Sequence, residues 1–216
     1  MSFEAPRGMR DFLPEDMRIR NWIFDTWREC AELSSFDQYD GCVVETQELL
    51  VRKAGEEVYA FKDKSDRELA LRPEMTPSLA RMINSQGKAL SLPAKWFGVF
   101  QCFRYERMTL GRKREHYQWN LDIIGQADVT AEAEVLRTAL SAVERFGLTS
   151  DVLKIRVGSR KLLAALLEKL KFDLTHFMDA CMVLDKRGKV EDSVLKEMLT
   201  TKGISANESD ILFKVL

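Results

Sequence analysis

Seven side chains between residues 104 and 122 carry the densest polar chemistry of this sequence: Arg104, Glu106, Arg107, Arg112, Arg114, Gln118 and Asp122. They sit within or between two runs, 96–105 and 116–124, that are rich in aromatic and β-branched residues, while 106–115 is mostly charged. The pattern predicts a β-hairpin with a charged connection. Polar groups on strands otherwise suited to burial need a partner. An arginine fixed on a strand donates two hydrogen bonds in a planar fork, which suits a phosphate. A partly desolvated carboxylate such as Glu74 or Asp122 suits an ammonium or an imidazole N–H. Strand alternation puts Arg104 with Glu106 on one face, and Gln118, Asn120 and Asp122 together on the partner strand. Gln118 and Asp122 are then roughly 13 Å apart along the strand, and can grip two ends of one small polar ligand by leaning together. These residues describe a site for a zwitterionic amino acid beside a nucleotide. On spacing alone, a solvated basic turn with cross-strand ion pairs stays open as the plainer reading.

Around this stretch the chain alternates helix and strand signals. Apolar positions at Ile19, Trp22, Ile23, Trp27, Cys30 and Ala31 predict a helix over 15–33 with one wide apolar face, the tryptophans serving as core. A strand is expected over 36–45, and a second hairpin from 58–61 and 68–72 around the turn residues 63–66. Thr76 is expected to cap a helix with Pro77 at its first position, beside Glu74. A helix over 130–145 follows, its Glu132 and Glu134 complementing the helix dipole. A short strand is expected at 153–157 and a helix capped by Ser159 through 170. After Phe172 only helical patterns remain, around 178–184, 192–199 and 207–215, which places a soft boundary there and divides the chain into 1–171 and 172–216. The pattern stops at Leu216 within a helix, as a partial sequence would.

Composition sets outer limits. With 216 residues and 45% hydrophobic content the chain can bury a sizeable core. Lys+Arg at 33 against Asp+Glu at 34 leaves a net charge of -1, so any basic surface is local. Cys30, Cys42, Cys102 and Cys181 lack CxxC spacing and only His116 and His176 could join them, so no metal site is expected and the thiols are read as free. No apolar run suggests a signal or membrane span. The expected location is the cytoplasm, with an organellar matrix as the other reading.

Four stretches in order, PRGMRDFLPED, RKAGEE, LRPEMTPSLAR and FRYERMTLGRKREHYQWNLDIIG, resemble the catalytic core of the histidyl-tRNA synthetase family, a class II aminoacyl-tRNA synthetase family. The form RPEMTPSLAR is most similar to organellar members. The resemblance implies an α/β (α+β) fold with a mainly antiparallel mixed sheet flanked by helices, followed by the start of a helical insertion from 172. It implies a homodimer formed through the motif 1 helix and strand. Arg104 would bind the α-phosphate of ATP, Glu106 the adenine side, and Arg112 the outer phosphates or the tRNA acceptor end. His116 stands where motif 2 usually has the Phe that packs on adenine. Glu74, Thr76 and Gln118 would hold the α-amino end of histidine, and Asp122 would face the imidazole. ATP with Mg²⁺, histidine and tRNA(His) are the implied substrates and partners, and Arg104 the implied catalytic group.

Two departures bear on this reading. Cys42 stands where motif 1 usually has Pro, and the chain ends before the family's RGxxYY-type segment and motif 3. The 216 residues are therefore expected to hold half of the active site and not to activate histidine alone at a useful rate. A non-catalytic relative, the regulatory subunit of ATP phosphoribosyltransferase, is the alternative. A third reading is an RNA-binding module using Arg112, Lys113, Arg114, His116, Tyr117 and Trp119.

Overall fold

The structure, a computed structural model, describes residues 3–54, 57–188 and 190–215, without the side chains of 52–54 and 215. Of the RKAGEE stretch, Gly55, Glu56 and the side chains of Arg52, Lys53 and Ala54 lie outside the described residues. The chain forms two compact units, Met1–Leu153 and Lys154–Leu216. That division falls before the Ser159-capped helix, earlier than the point near Phe172 where strand patterns cease.

The first unit begins with α1 (Pro14–Leu33), whose proline lies in the first turn, where a missing N–H costs nothing. Its buried residues are Thr26, Cys30 and Ala31. The expected apolar face is only partly covered: Trp27 stacks on Trp119 at 5.6 Å, while Ile19 and Trp22 remain 61% and 54% exposed. The strand expected over 36–45 is two short strands in different sheets, β1 (Asp37–Gln38) and β2 (Val44–Thr46). Asp40 and Gly41 make the break. The Asp40 carboxylate accepts from the Gly41 N–H (2.7 Å) and from Arg72 Nη1 (3.1 Å), which turns the chain out of one sheet into the other.

After α2 (Gln47–Ala54), the second hairpin forms as expected from β3 (Ala60–Lys62) and β4 (Glu68–Leu71). The Asp63 carboxylate accepts from the Ser65 and Arg67 N–H groups and shapes their turn. The helix α3 (Thr76–Gln86) starts one residue earlier than expected: Met75 is its N-cap, without a side-chain hydrogen bond, and Thr76 is already helical. Then come β5 (Ala94–Phe103), β6 (Glu115–Ile124) and α4 (Val129–Arg145), the last capped by Asp128, whose side chain accepts from the Thr130 N–H. The strands divide into two three-stranded sheets, ordered β1-β5-β6 and β2-β4-β3. β1 pairs with β5 in parallel and the other pairings are antiparallel. The two sheets meet where the Phe103 N–H donates to the Arg72 carbonyl (2.9 Å).

The register of β5 and β6 runs from Ala94 opposite Ile124 to Phe103 opposite Glu115. Alternation gives the hairpin two faces. Phe97, Trp119, Leu121 and Ile123 join Ala31, Phe36 and Val135 in one hydrophobic cluster. Phe100 and Cys102 face the other way and pack with Met75, Tyr39 and Met82.

The second unit is helical: α5 (Arg160–Lys169), α6 (Phe177–Leu184), α7 (Asp192–Thr201) and α8 (Ala206–Val215). Leu167, Phe172, Val183, Leu195, Leu199, Ile204 and Leu212 form its core. Ser159 caps α5 by accepting from the Leu162 N–H (3.2 Å), and Ser205 with Glu208 forms a reciprocal capping box before α8. Residues 153–157 are not a strand. Alternating β-branched residues do not make one without a partner to complete the ladder, and among the described residues none pairs with them.

Candidate functional site

The face of β5 and β6 that α1 does not cover carries the candidate site. On it lie Gln118, opposite Phe100, and Asp122, opposite Trp96. Gln118 Oε1 accepts from Cys102 Sγ (3.3 Å), and Asp122 Oδ2 accepts from the Tyr39 hydroxyl (3.2 Å). Burial pushes the Asp122 carboxyl above the usual carboxylate range, against the hydrogen bond from Tyr39, which lowers it. The Tyr39 phenol is raised strongly, first by burial and next by the neighbouring Asp122 charge. Burial also pushes the Cys102 thiol up to about 11, opposed by Arg72 and Arg104.

Arg104 and Glu106 are not strand residues, contrary to expectation. β5 ends at Phe103, where the Arg72 carbonyl takes the Phe103 N–H and the charged connection begins. The Arg104 N–H donates to the Arg114 carbonyl (2.9 Å), so its backbone is still held, and its Nε donates to the Pro73 carbonyl (3.1 Å). That bond ties the end of β5 to the turn bearing Glu74. The charges of Arg104 and Glu74 both act on Cys102, which places the two motifs beside one another. The His116 imidazole is held below its ordinary pKa by burial first and by the Arg104 charge second, with Glu106 opposing.

The structure therefore gathers Glu74, Arg104, His116, Gln118 and Asp122 along one face. It does not bring Arg112 there. Arg112 is exposed in the tight turn at Gly111 and pairs with Glu106 (Nη1 to Oε2, 3.2 Å). Thr76 is exposed on the first turn of α3. Tyr117 and Trp119 point to α1: the Tyr117 hydroxyl accepts from Arg20 Nη1 (2.9 Å) and Trp119 stacks on Trp27. These rings are packing, which removes the aromatic platform that the RNA-module reading needs.

Sequence reasoning missed three supporting residues. Arg72, 3% exposed, donates to the Gln101 carbonyl, the Gly41 carbonyl and Asp40, and lies 5.2 Å from the Phe100 ring centre. Tyr39 reaches Asp122 from the strand region it was read into. Glu115, 5% exposed, accepts from the Arg10 N–H and from Gln101 Nε2 (both 2.9 Å), anchoring the PRGMR stretch. Gly8 makes that docking fit, because at φ +89 a Cβ would come within 2.8 Å of the Arg114 side chain. A charge closing an apolar run was the available signal for Arg72, whereas Glu115 closes a charged stretch that offers none. Nothing local marks Tyr39.

No three or more His, Cys, Asp or Glu side chains among the described residues are grouped to hold a metal ion. No helix among them is long and apolar enough to cross a membrane.

The chain also matches known proteins over almost its whole length. The family model for histidyl-tRNA synthetase matches residues 8–215. The chain is 47% identical to the histidine--tRNA ligase, chloroplastic/mitochondrial, of Arabidopsis thaliana over 98% of this chain and 44% of the relative. It is 37% identical to the histidine--tRNA ligase of Haloarcula marismortui over 99% of this chain and 50% of that one. It thus spans about half the length of these curated relatives. Among solved structures, an ATP phosphoribosyltransferase regulatory subunit/histidyl-tRNA synthetase from Bacillus halodurans superposes with a TM-score of 0.80 at 24% identity, covering 100% of this chain and 56% of that one. The histidyl-tRNA synthetase from Nostoc sp. PCC 7120 gives 0.77 at 20% identity over 99% and 48%. Those two likenesses establish the fold, and the family model with the curated relatives establishes the lineage: the chain belongs to the histidyl-tRNA synthetase family.

Proposed function

We propose that this chain is part of a histidine–tRNA ligase, the part of a class II catalytic core that carries motifs 1 and 2 and the start of a helical insertion. The observation that carries the reading is the placement of Gln118 and Asp122 on the face of β6 turned away from α1, with Arg104 just past the neighbouring end of β5. Asp122 would accept an imidazole N–H, Gln118 and Glu74 would hold the α-amino end, and Thr76 would lie at the rim. Arg104 would steady the α-phosphate and His116 would stack against adenine. Glu106 and Arg112, already paired in the hairpin turn, would meet the adenine edge and the outer phosphates or the tRNA end.

The reaction joins a histidine carboxylate oxygen to the α-phosphorus of MgATP and releases pyrophosphate. A hydroxyl of the tRNA 3′ terminal ribose then attacks the acyl carbon and AMP leaves. Catalysis here is positioning and charge stabilisation, with Arg104 lowering the cost of negative charge gathering on the phosphate. Mg²⁺ would enter with the nucleotide as part of the substrate. The helix α1 and the strand after it would form a homodimer contact, in the cytoplasm or an organelle.

The test is a hybrid enzyme in which residues 1–216 replace the matching stretch of the Arabidopsis relative. Histidine-dependent ATP–pyrophosphate exchange is expected, and Arg104→Ala is expected to lower its rate by about 10²- to 10³-fold, the usual cost of losing one preorganised donor. A folded hybrid that binds histidine without engaging ATP would favour the regulatory-subunit reading instead.

A further inference from the structure

We propose that Tyr39 is a positioning and specificity residue at the imidazole end of the site: its hydroxyl occupies one carboxylate oxygen of Asp122 and leaves the other to take a single ring N–H. The inference rests on the reading of Asp122 as the imidazole acceptor.

The geometry fixes Tyr39 from several sides. Its backbone N–H donates to the Phe97 carbonyl (2.9 Å), one residue past the parallel pairing of Gln38 with Phe97. Its ring lies 5.1 Å from Phe100, edge-on at 61°, and 5.7 Å from Trp96 at 40°. Phe100 cannot retreat easily. It is 1% exposed and folds over Gly98, where a Cβ would meet its ring at 2.0 Å. The hydroxyl is thereby held within 3.2 Å of Asp122 Oδ2.

A phenol donates one hydrogen bond, and a carboxylate accepts on two oxygens. With Oδ2 engaged, the Asp122 carboxylate cannot swing freely, and its other oxygen is the one that does not share a donor with Tyr39. A neutral imidazole has one ring N–H to give and fits this arrangement. A guanidinium pairs two-pronged with both oxygens and would have to share Oδ2 with the Tyr39 hydroxyl. The charged groups near the pair are Arg72 and Asp40, which act on the phenol and pair with each other. The β5 residue opposite Asp122, Trp96, and Phe100 beside it are uncharged, as are Asn120 and Gln118 along β6. Since the hydroxyl stabilises the charged carboxylate, its removal raises the pH at which Asp122 takes up a proton.

The experiment is calorimetric titration of histidine and of arginine into the hybrid enzyme described above, carrying wild-type Tyr39, Tyr39→Phe or Asp122→Asn, between about pH 5 and pH 8, where imidazoles titrate. Tyr39→Phe keeps the ring and its packing. It is expected to weaken histidine binding roughly tenfold, as for one lost hydrogen bond to an ionised group. It should also move the acid limb of binding to higher pH and narrow the preference for histidine over arginine. Asp122→Asn should weaken histidine binding further. Unchanged affinity and an unchanged acid limb in Tyr39→Phe, with Asp122→Asn impaired, would overturn the role of Tyr39 and leave the Asp122 reading standing. Wild-type affinity in Asp122→Asn, or no histidine uptake by a folded wild-type hybrid, would overturn that reading and the inference with it.

Discussion

The two faces of the β5–β6 hairpin are made from alternating residues of the same strands, yet they follow opposite rules. Toward α1, Phe97, Trp119, Leu121 and Ile123 close an apolar layer. Away from it, Asp122 and Gln118 sit half-buried among Tyr39, Phe100 and Cys102, each answered by a hydrogen bond from a neighbouring side chain. The first face is built for stability and the second holds polar groups at a cost in stability. A one-residue step along either strand therefore changes what a substitution does.

The largest effect should come from the apolar face. Phe97 is fully buried, and Phe97→Ala is expected to cost about 3–5 kcal/mol of stability in urea unfolding. A cost near that of a surface residue would break the comparison. On the opposite face, Gly98→Ala forces the Phe100 ring aside and is expected to cost about 1–3 kcal/mol, the usual range for overpacking. Wild-type stability would mean that the ring is not wedged between Gly98 and Tyr39.

Asp122→Asn should behave in the opposite way. The folded-state pKa of Asp122 is raised above its unfolded value, so its favourable contribution is present at low pH and is lost as pH rises through the folded pKa. Removing the charge is therefore expected to raise the melting temperature at about pH 7, with the gain fading toward ~pH 4, the unperturbed carboxylate range. A destabilised Asp122→Asn at neutral pH would show that the bond from Tyr39 outweighs burial. The smallest effect is local: Arg104→Ala should raise the His116 titration midpoint, read by NMR, because one of the two causes depressing it is gone. An unmoved midpoint would place Arg104 away from the motif 2 imidazole.

Much of this organisation was legible in the sequence. The helices at α1, α4 and α5 announced themselves by apolar periodicity and by residues such as Ser159, and the strand pair by its aromatic and β-branched runs. Gln118 and Asp122 were legible as a same-face pair because strand alternation is local geometry. The strand read over 36–45 failed because the side chain of Asp40 and a distant arginine, Arg72, redirect the backbone there. Residues 153–157 failed for a related reason, since a strand exists only with its neighbour. The expected strand 96–105 overruns β5 by two residues and so takes in Arg104, because a ladder's end depends on which carbonyl the last N–H meets.

By itself, then, the sequence determined the local periods, the polar pair on β6 and, through four motifs in order, the family resemblance. Tertiary structure alone decided that Tyr39 reaches across 83 positions to Asp122, that Arg72 is buried beneath Phe100, and that Arg112 stays out in its turn with Glu106. Those contacts join residues far apart in the chain. They are fixed by which surfaces pack together, and no local pattern of residue types encodes that.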